Sequence, residues 1–351
     1  MKILSSLEIK AIVSELQDLV DGKVDNIYQP DSTEIVIAIH KTDIGKKFIR
    51  IVPGVALYIT KKKRLSPDQP MNFCRFLKNR LKSARIKEIK QKELERVIEI
   101  HFESIEEKFI MICEFFSKGN IILCNEEYTI ISALQVQLWK DRKIKAKEIY
   151  RYPPVKPMYF DDYEDFALFL EKSIKKDIVR KLSDLNLGGL YAEEICVRAK
   201  VDKNSTKIGD REVKKLYTAF KSLLTEEYEP YIVRDNPVPF RMDSLGEGES
   251  FLTYSEALEE YYSQFIEDIE EEEEKDRLSK VDKHKLILEE QQKQFENFEE
   301  LIVINKIKGD WIYANYVKLQ ELMKLYKENK HDELRSKGVI VDGTNIIVEI
   351  E

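Results

Sequence analysis

Cysteine, histidine and glycine are the residues whose spacing most often declares a reaction, and here none is spaced to do so. Cys74, Cys113, Cys124 and Cys196 form no CxxC pair, so neither a zinc ribbon nor a dithiol redox centre is laid out. His40, His101, His284 and His331 lie far apart and outside any HExxH arrangement, which removes the local signature of a metallohydrolase. No GxGxxG, GxxxxGK[ST] or GxSxG occurs, so a dinucleotide site, a P-loop and a hydrolase nucleophile elbow lack their signatures too. The expectation is a protein that works by binding, with no cofactor and no metal.

The chemistry the residue types do offer is phosphate recognition. From Lys41 to Arg96 there are 17 Lys or Arg against 5 Asp or Glu, and Lys140 to Arg151 adds 6 basic residues against 2 acidic. The whole-chain charge of -7 hides this, because Glu267 to Glu300 carries 14 acidic residues against 6 basic. Clustered lysine and arginine is the footprint of phosphate-backbone binding; the plainer alternative is the solvated faces of a Lys/Glu-rich protein. A second phosphate signal is Leu185-Asn186-Leu187-Gly188-Gly189-Leu190, an apolar-Gly-Gly-apolar turn between two short helical patterns, as in a helix-hairpin-helix. There the glycines let backbone approach a phosphate and the next helix offers its unpaired N–H groups. An ordinary αα-hairpin that uses glycine for its turn is the alternative.

These residues need elements to hold them. A chain of 351 residues allows two or three domains, and no window approaches the ~18 consecutive apolar residues of a spanning helix. The N-terminus has no apolar export segment, and the cysteine usage fits a reduced cytoplasm. Residues 6 to 21 have helical spacing and stop at Gly22. Strands are predicted at Glu34–His40, Lys47–Val52, Val55–Thr60, Arg96–Phe102, Phe109–Glu114, Ile121–Cys124 and Tyr128–Leu134. A helix at Met71–Ser83 turns Phe73, Phe76, Leu77 and Leu81 inward and Arg75, Lys78, Arg80 and Lys82 outward. The expected class is therefore α+β, with antiparallel sheets packed face to face.

Tyr152 to Pro157 is a proline-stiffened connector, and beyond it the pattern turns helical. Tyr228 to Phe251 returns to extended chain, expected as one strand or two packing back on the first domain. A long helix then begins near Tyr254. Val281, Leu288, Phe295 and Ile302 recur every seven residues, but Leu278, Lys285, Gln292 and Glu299 are mostly polar companions, so the seam is half a coiled coil. The stretch from Trp311 to Tyr326 is too short to be its partner. Glu270 to Glu274 is expected to be a solvated face, and Val339 to Val348 a hairpin around Asp342-Gly343. The expected divisions are residues 1–165, 166–226, 227–262 and 263–351.

Phe73-Cys74, Leu77, Leu81, Arg85-Ile86, Gln91, Glu95-Arg96-Val97, Glu114 and Gly119-Asn120-Ile121-Ile122-Leu123 together resemble the NFACT family, the ribosome quality-control group of NEMF and RqcH once labelled fibronectin-binding protein A-like. Further matches follow in order at Tyr150, Tyr152-Pro153-Pro154, Leu187 to Ile195, and Gly309 to Tyr316. The resemblance implies an N-terminal domain related in fold to formamidopyrimidine-DNA glycosylase, a helix-hairpin-helix domain and a coiled-coil arm. The family's second coiled-coil strand and C-terminal NFACT-R domain are missing, so a fragment of a longer protein is expected, and the wording of the motifs suggests an archaeon.

The resemblance further implies a non-catalytic adaptor. Such proteins bind a large ribosomal subunit that still holds peptidyl-tRNA and recruit a tRNA, alanyl-tRNA among the candidates, for template-free extension of the stalled chain. A ubiquitin ligase or another quality-control factor is a further implied partner. The family's Asp-Arg pair for tRNA recognition is similar to Glu95-Arg96 here; the added methylene moves the carboxylate outward and bears on tailing or tRNA choice more than on ribosome binding. Glu114, Asn120 and Arg85 align with further tRNA-binding positions, with Asn120 open between RNA contact and turn architecture, and Gly188-Gly189 with the phosphate hairpin. Where the family tends to carry arginine after the Gly119-Asn120 turn, this chain has Gln135.

Two other classes were weighed. A glycosylase would need an N-terminal proline followed by glutamate, and Met1 is followed here by Lys2 and Ile3. A fibronectin-binding adhesin would need export.

Overall fold

Strands dominate the first 150 residues, and two of them are invisible to simple alternation. The computed structural model describes residues 2–61, 64, 66–67, 69–139, 142–153, 160, 162–342 and 345–348, with the side chains of 266–283 left aside. Lys62, Lys63, Lys140, Pro154 to Pro157 and Gly343 lie outside the described residues, as do the side chains of Glu270 to Glu274, Leu278 and Val281. The chain divides into two compact units, Met1–Ile266 and Glu267–Glu351.

The first unit opens with α1 (Ser6–Leu16), started by a capping box in which Ser5 N donates to Glu8 Oε2 at 2.6 Å and Glu8 N to Ser5 Oγ at 3.4 Å. Then come β1 (Lys23–Tyr28), β2 (Ile35–Lys41), β3 (Gly45–Val52), β4 (Ala56–Thr60), α2 (Asn72–Leu81), β5 (Arg85–Gln91), β6 (Val97–Glu103), β7 (Lys108–Glu114), β8 (Asn120–Cys124) and β9 (Ile130–Ala133). All pair antiparallel in the order β4-β3-β2-β1-β5-β6-β7-β8-β9. The strands β1 and β5 went unread in the sequence because each carries a bulge, between Val24 and Asn26 and between Ile86 and Glu88. An extra residue spaces Val24 from Ile27 and Ile86 from Ile89 by three instead of two, which breaks the period-two signal.

The expectation of separate sheets packed face to face is corrected to one continuous ladder. Its two halves join at β1–β5 through a single register pair, Lys23 with Arg85. Both halves turn apolar faces into one core: Ile37, Ile49 and Leu57 from the first, Ile98, Met111 and Leu123 from the second. The other face of the second half buries Val97, Ile112 and Ile122 under Ile144 and Tyr150, which explains why the β7 and β8 sequences are apolar throughout. The turn at Gly54 meets the turn at Gly119 so closely that a Cβ on Gly119 would lie 1.9 Å from Gly54 N, and Gly119 has φ +66°.

Beyond a small hairpin, β10 (Gln137–Leu138) with β11 (Lys143–Ile144), the chain forms α3 (Tyr163–Lys172), α4 (Ile178–Ser183), α5 (Gly188–Ala199) and α6 (Asp210–Leu224). Their core gathers Phe160, Phe166, Leu182, Ile195 and Phe220. A three-stranded sheet follows, β12 (Tyr231–Val233), β13 (Asn236–Val238) and β14 (Glu249–Ser250). Its buried residues Tyr231, Val233 and Val238 join the helical core, while its partly buried Ile232, and Phe251 just after β14, pack against the first core. The long helix α7 (Tyr254–Ala314) starts inside the first core with Tyr254, Leu258 and Tyr262 buried. Glu15 fixes that start, accepting from Tyr254 N, from Ser255 N at 3.0 Å and from Ser255 Oγ at 2.6 Å.

In the second unit α7 gives way at Asn315 to α8 (Tyr316–Lys327), α9 (His331–Ser336) and the hairpin β15 (Ile340–Asp342) with β16 (Asn345–Ile347). A small core of Leu322, Leu334 and Val339 holds these together. Leu288, Phe295 and Ile302 of the sevenfold repeat stay exposed. Among the described residues no helix is long and apolar enough to cross a membrane.

Candidate nucleic-acid interface

The strand register collects most of the residues singled out in the sequence at one end of the sheet. Val97 pairs with Glu114, and Glu114 with Asn120. Arg96 immediately precedes β6, and its carbonyl accepts from Phe115 N at 2.8 Å. Glu95 and Arg96 close the turn between β5 and β6, which is pinned from below. Gln91 Nε2 donates to the carbonyls of Glu95 and Ser6, both at 2.9 Å.

The same turn is tied to the glycine hairpin. Asn186 Nδ2 donates to Glu95 Oε2 at 3.1 Å, while the Asn186 carbonyl accepts from Ser6 Oγ at 3.1 Å. Asn186 has φ 56°, a left-handed conformation that asparagine tolerates. Sequence reasoning missed this residue as the link; its signal was an asparagine just ahead of a Gly-Gly helix start. Gly188 and Gly189 are exposed, with nothing within 4 Å of where a Cβ would stand. Gly188 opens α5, whose first turn has no side-chain cap, so backbone N–H groups face open space next to the Glu95-Arg96 turn.

Electrostatics single out Arg96. It is half-buried, and among the described residues its guanidinium has no hydrogen bond and no ion pair. Burial lowers its pKa against the pull of Glu95. Burial likewise raises the Glu95 carboxyl above its ordinary value; Glu93 adds to the rise and Arg96 opposes it. A partly desolvated guanidinium without a fixed anion is suited to take one from outside, and phosphate matches its fork.

Glu114 and Asn120 belong to this end of the sheet but do not face solvent, at 1% and 0% exposed, which corrects their reading as direct RNA contacts. Glu114 pairs with Arg142 and accepts from Tyr150 OH at 2.8 Å. Asn120 Nδ2 donates to the Gln135 carbonyl at 2.8 Å, and its Oδ1 accepts from Gln135 N at 3.1 Å and Ile121 N at 2.9 Å. Both are spent on architecture, as buried polar groups must be. Arg85 is exposed at the other end of β5, in strand register with Glu103, and donates to the Asp21 carbonyl at 2.9 Å.

The basic segment also carries less open charge than its count suggested. Arg50 and Arg64 are buried on Glu34 at 2.7 and 2.9 Å. Lys46 pairs with Asp25 at 2.6 Å, Lys90 with Glu88 at 2.8 Å and Lys87 with Glu103 at 3.3 Å. Arg75 on α2 and Lys82 just after it are exposed.

The family model described as NFACT N-terminal and middle domains matches residues 5–341. The chain belongs to the NFACT family. It is 32% identical over 362 residues to the archaeal Rqc2 homolog aRqcH of Methanocaldococcus jannaschii, covering 96% of this chain and 54% of that protein. It is 27% identical over 150 residues to the human ribosome quality control complex subunit NEMF, covering 42% of this chain and 14% of that one. The chain thus spans about half the length of the archaeal NFACT relative. In fold it is similar to the N-terminal part of the fibronectin/fibrinogen-binding protein of Streptococcus suis, with a TM-score of 0.63 at 20% identity, covering 74% of this chain and 99% of that one.

Proposed function

We propose that this NFACT chain is the RNA-gripping part of a cytoplasmic, non-catalytic adaptor of ribosome-associated quality control. It binds large ribosomal subunits obstructed by peptidyl-tRNA and recruits a tRNA, alanyl-tRNA among the candidates, for template-free C-terminal tailing, with a ubiquitin ligase or another quality-control factor as a further partner. The relatives named as ribosome quality-control subunits support the pathway. The observation that carries the RNA reading is the half-buried guanidinium of Arg96, without a hydrogen-bond partner among the described residues, on a turn tied through Glu95 and Asn186 to the exposed Gly188 and Gly189. A phosphate bridging the two would receive a charge-assisted fork from one side and helix N–H groups from the other.

Glu95 holds the hairpin through Asn186, so the longer carboxylate acts first as a brace between the two halves of the grip. The α4–α5 hairpin is proposed as a phosphate-binding helix-hairpin-helix, and α7 as one strand of a coiled-coil arm. The fibronectin/fibrinogen binding for which the streptococcal neighbour is named brings nothing to this chain at 20% identity. A glycosylase role has no support from Lys2, whose amine is engaged with Glu8 and with the Pro237 carbonyl.

The test is binding of tRNA and of large subunits by the parent and by Arg96→Ala across a salt series. The variant should bind tRNA roughly ten- to a hundredfold more weakly, the size of a lost charged hydrogen bond. Its tRNA salt slope should fall by about one, with subunit docking much less affected. Equal loss of both activities, or tRNA binding indifferent to salt, would overturn the reading.

A further inference from the structure

Next to Arg96 the sheet end carries a feature that the grip does not use. The β10–β11 hairpin and the residue before it turn apolar side chains outward, with Val136 69%, Leu138 66% and Trp139 45% exposed. Trp139 is nonetheless held in place. Its N–H donates to the Arg142 carbonyl at 2.9 Å, and its ring lies 5.7 Å from the Arg142 guanidinium. That guanidinium is in turn fixed by Glu114, by the Arg151 carbonyl at 2.7 Å and by the Tyr150 ring at 4.9 Å.

Among the described residues three cations lie on the elements next to this indole. Lys143 pairs in register with Leu138, Arg151 anchors Arg142, and Lys118 precedes Gly119, whose carbonyl accepts from Gln137 Nε2 at 3.2 Å. All three cations are exposed, and among the described residues none has an ion pair. An exposed aromatic ring on a sheet end that also carries available cations matches a base with its phosphates, whereas a protein partner would call for acidic complements or a wider apolar field. We infer that Trp139 is a stacking platform for an unpaired base of a single-stranded RNA segment, with Lys118, Lys143 and Arg151 taking its phosphates. The inference rests on the RNA-binding reading and adds to it a second, stacking subsite.

The chain has two tryptophans, Trp139 and Trp311, so in the full chain carrying Trp311→Phe the indole emission reports Trp139 alone. Titration with an oligouridylate of about twelve nucleotides, within single-strand site sizes, should quench that emission to saturation. By filter binding, Trp139→Ala should lose roughly tenfold in affinity and Trp139→Phe should keep most of it, with melting temperatures close to the parent. RNA binding without quenching, or a Trp139→Ala protein that binds as tightly as the parent, overturns the platform and leaves the Arg96 grip standing. No binding of the oligonucleotide or of tRNA by any form at low salt overturns both. An emission change that follows protein concentration without RNA makes the patch a self-association surface and also overturns the inference.

Discussion

Arg96 at the entrance of β6 and Glu114 at the end of β7 each carry one charge, of opposite sign, yet only Arg96 is open to a ligand. The difference was not in the motif. Glu114 is covered because the segment from Gln137 to Tyr150 folds over its face and delivers Arg142 and Tyr150 to it, and nothing local in the sequence announces that long-range cover. Arg96, at the strand entrance, escapes it. The pair Glu95-Arg96 stood out through its resemblance to the family's Asp-Arg pair and the two hairpin glycines through their place in an apolar-Gly-Gly-apolar turn, while Arg142 lay in a basic run without a distinguishing neighbour. Glu99 shows the same principle on the outer face. It is 1% exposed and accepts from His101 Nε2 and Tyr128 OH, each at 3.0 Å, and from Tyr152 OH. Burial alone would raise its pKa, but the hydrogen bonds from His101, Tyr152 and Tyr128 outweigh it and hold the group below its ordinary 4.5. A lowered folded-state pKa means that the carboxylate stabilises the fold above the ordinary value and that this is lost as pH falls through the folded one. Glu99→Gln should therefore cost about 1–3 kcal/mol near neutral pH. In urea melts the gap to the parent should narrow steadily below the ordinary carboxylate range; a gap independent of pH would refute the ionised network.

At the scale of elements, alternation found seven of the strands and failed at β1 and β5, where bulges shift the apolar spacing from two to three. The single-ladder topology was likewise hidden, because the joint between the halves is one register pair. The turns obey different constraints, and glycine substitutions separate them. Gly119→Ala puts a methyl into the Gly54 backbone at a positive φ, and should destabilise the protein by about 2–4 kcal/mol or prevent folding. Gly189→Ala meets open space in the first turn of α5. It should leave the protein as stable as before or up to about 1 kcal/mol more so, and weaken tRNA binding, since the methyl would hold a phosphate away from the backbone. Thermal melts beside tRNA titrations decide this. Gly189→Ala with unchanged tRNA affinity would remove the hairpin from the grip.

Over the whole molecule, opposite charges are kept apart in sequence, with the acidic segment on the long helix and the basic one in the sheet unit. A net charge of -7 therefore describes neither part. The long helix was legible from its length and weak sevenfold repeat, and its start inside the first core was not, because Tyr254 and Tyr262 read as ordinary helical residues until Glu15 and Tyr58 are seen against them. Leu288, Phe295 and Ile302 of that helix are exposed. The function proposed for this chain is that of a head that holds translation RNAs and leaves bond-making to the ribosome. The direct measurement is ultraviolet crosslinking of the native protein in cells followed by sequencing of the attached RNA. Reads concentrated on tRNA and large-subunit ribosomal RNA, and falling with Arg96→Ala on the tRNA alone, are expected; crosslinks to DNA, or RNA reads that mirror transcript abundance and ignore Arg96, would contradict it.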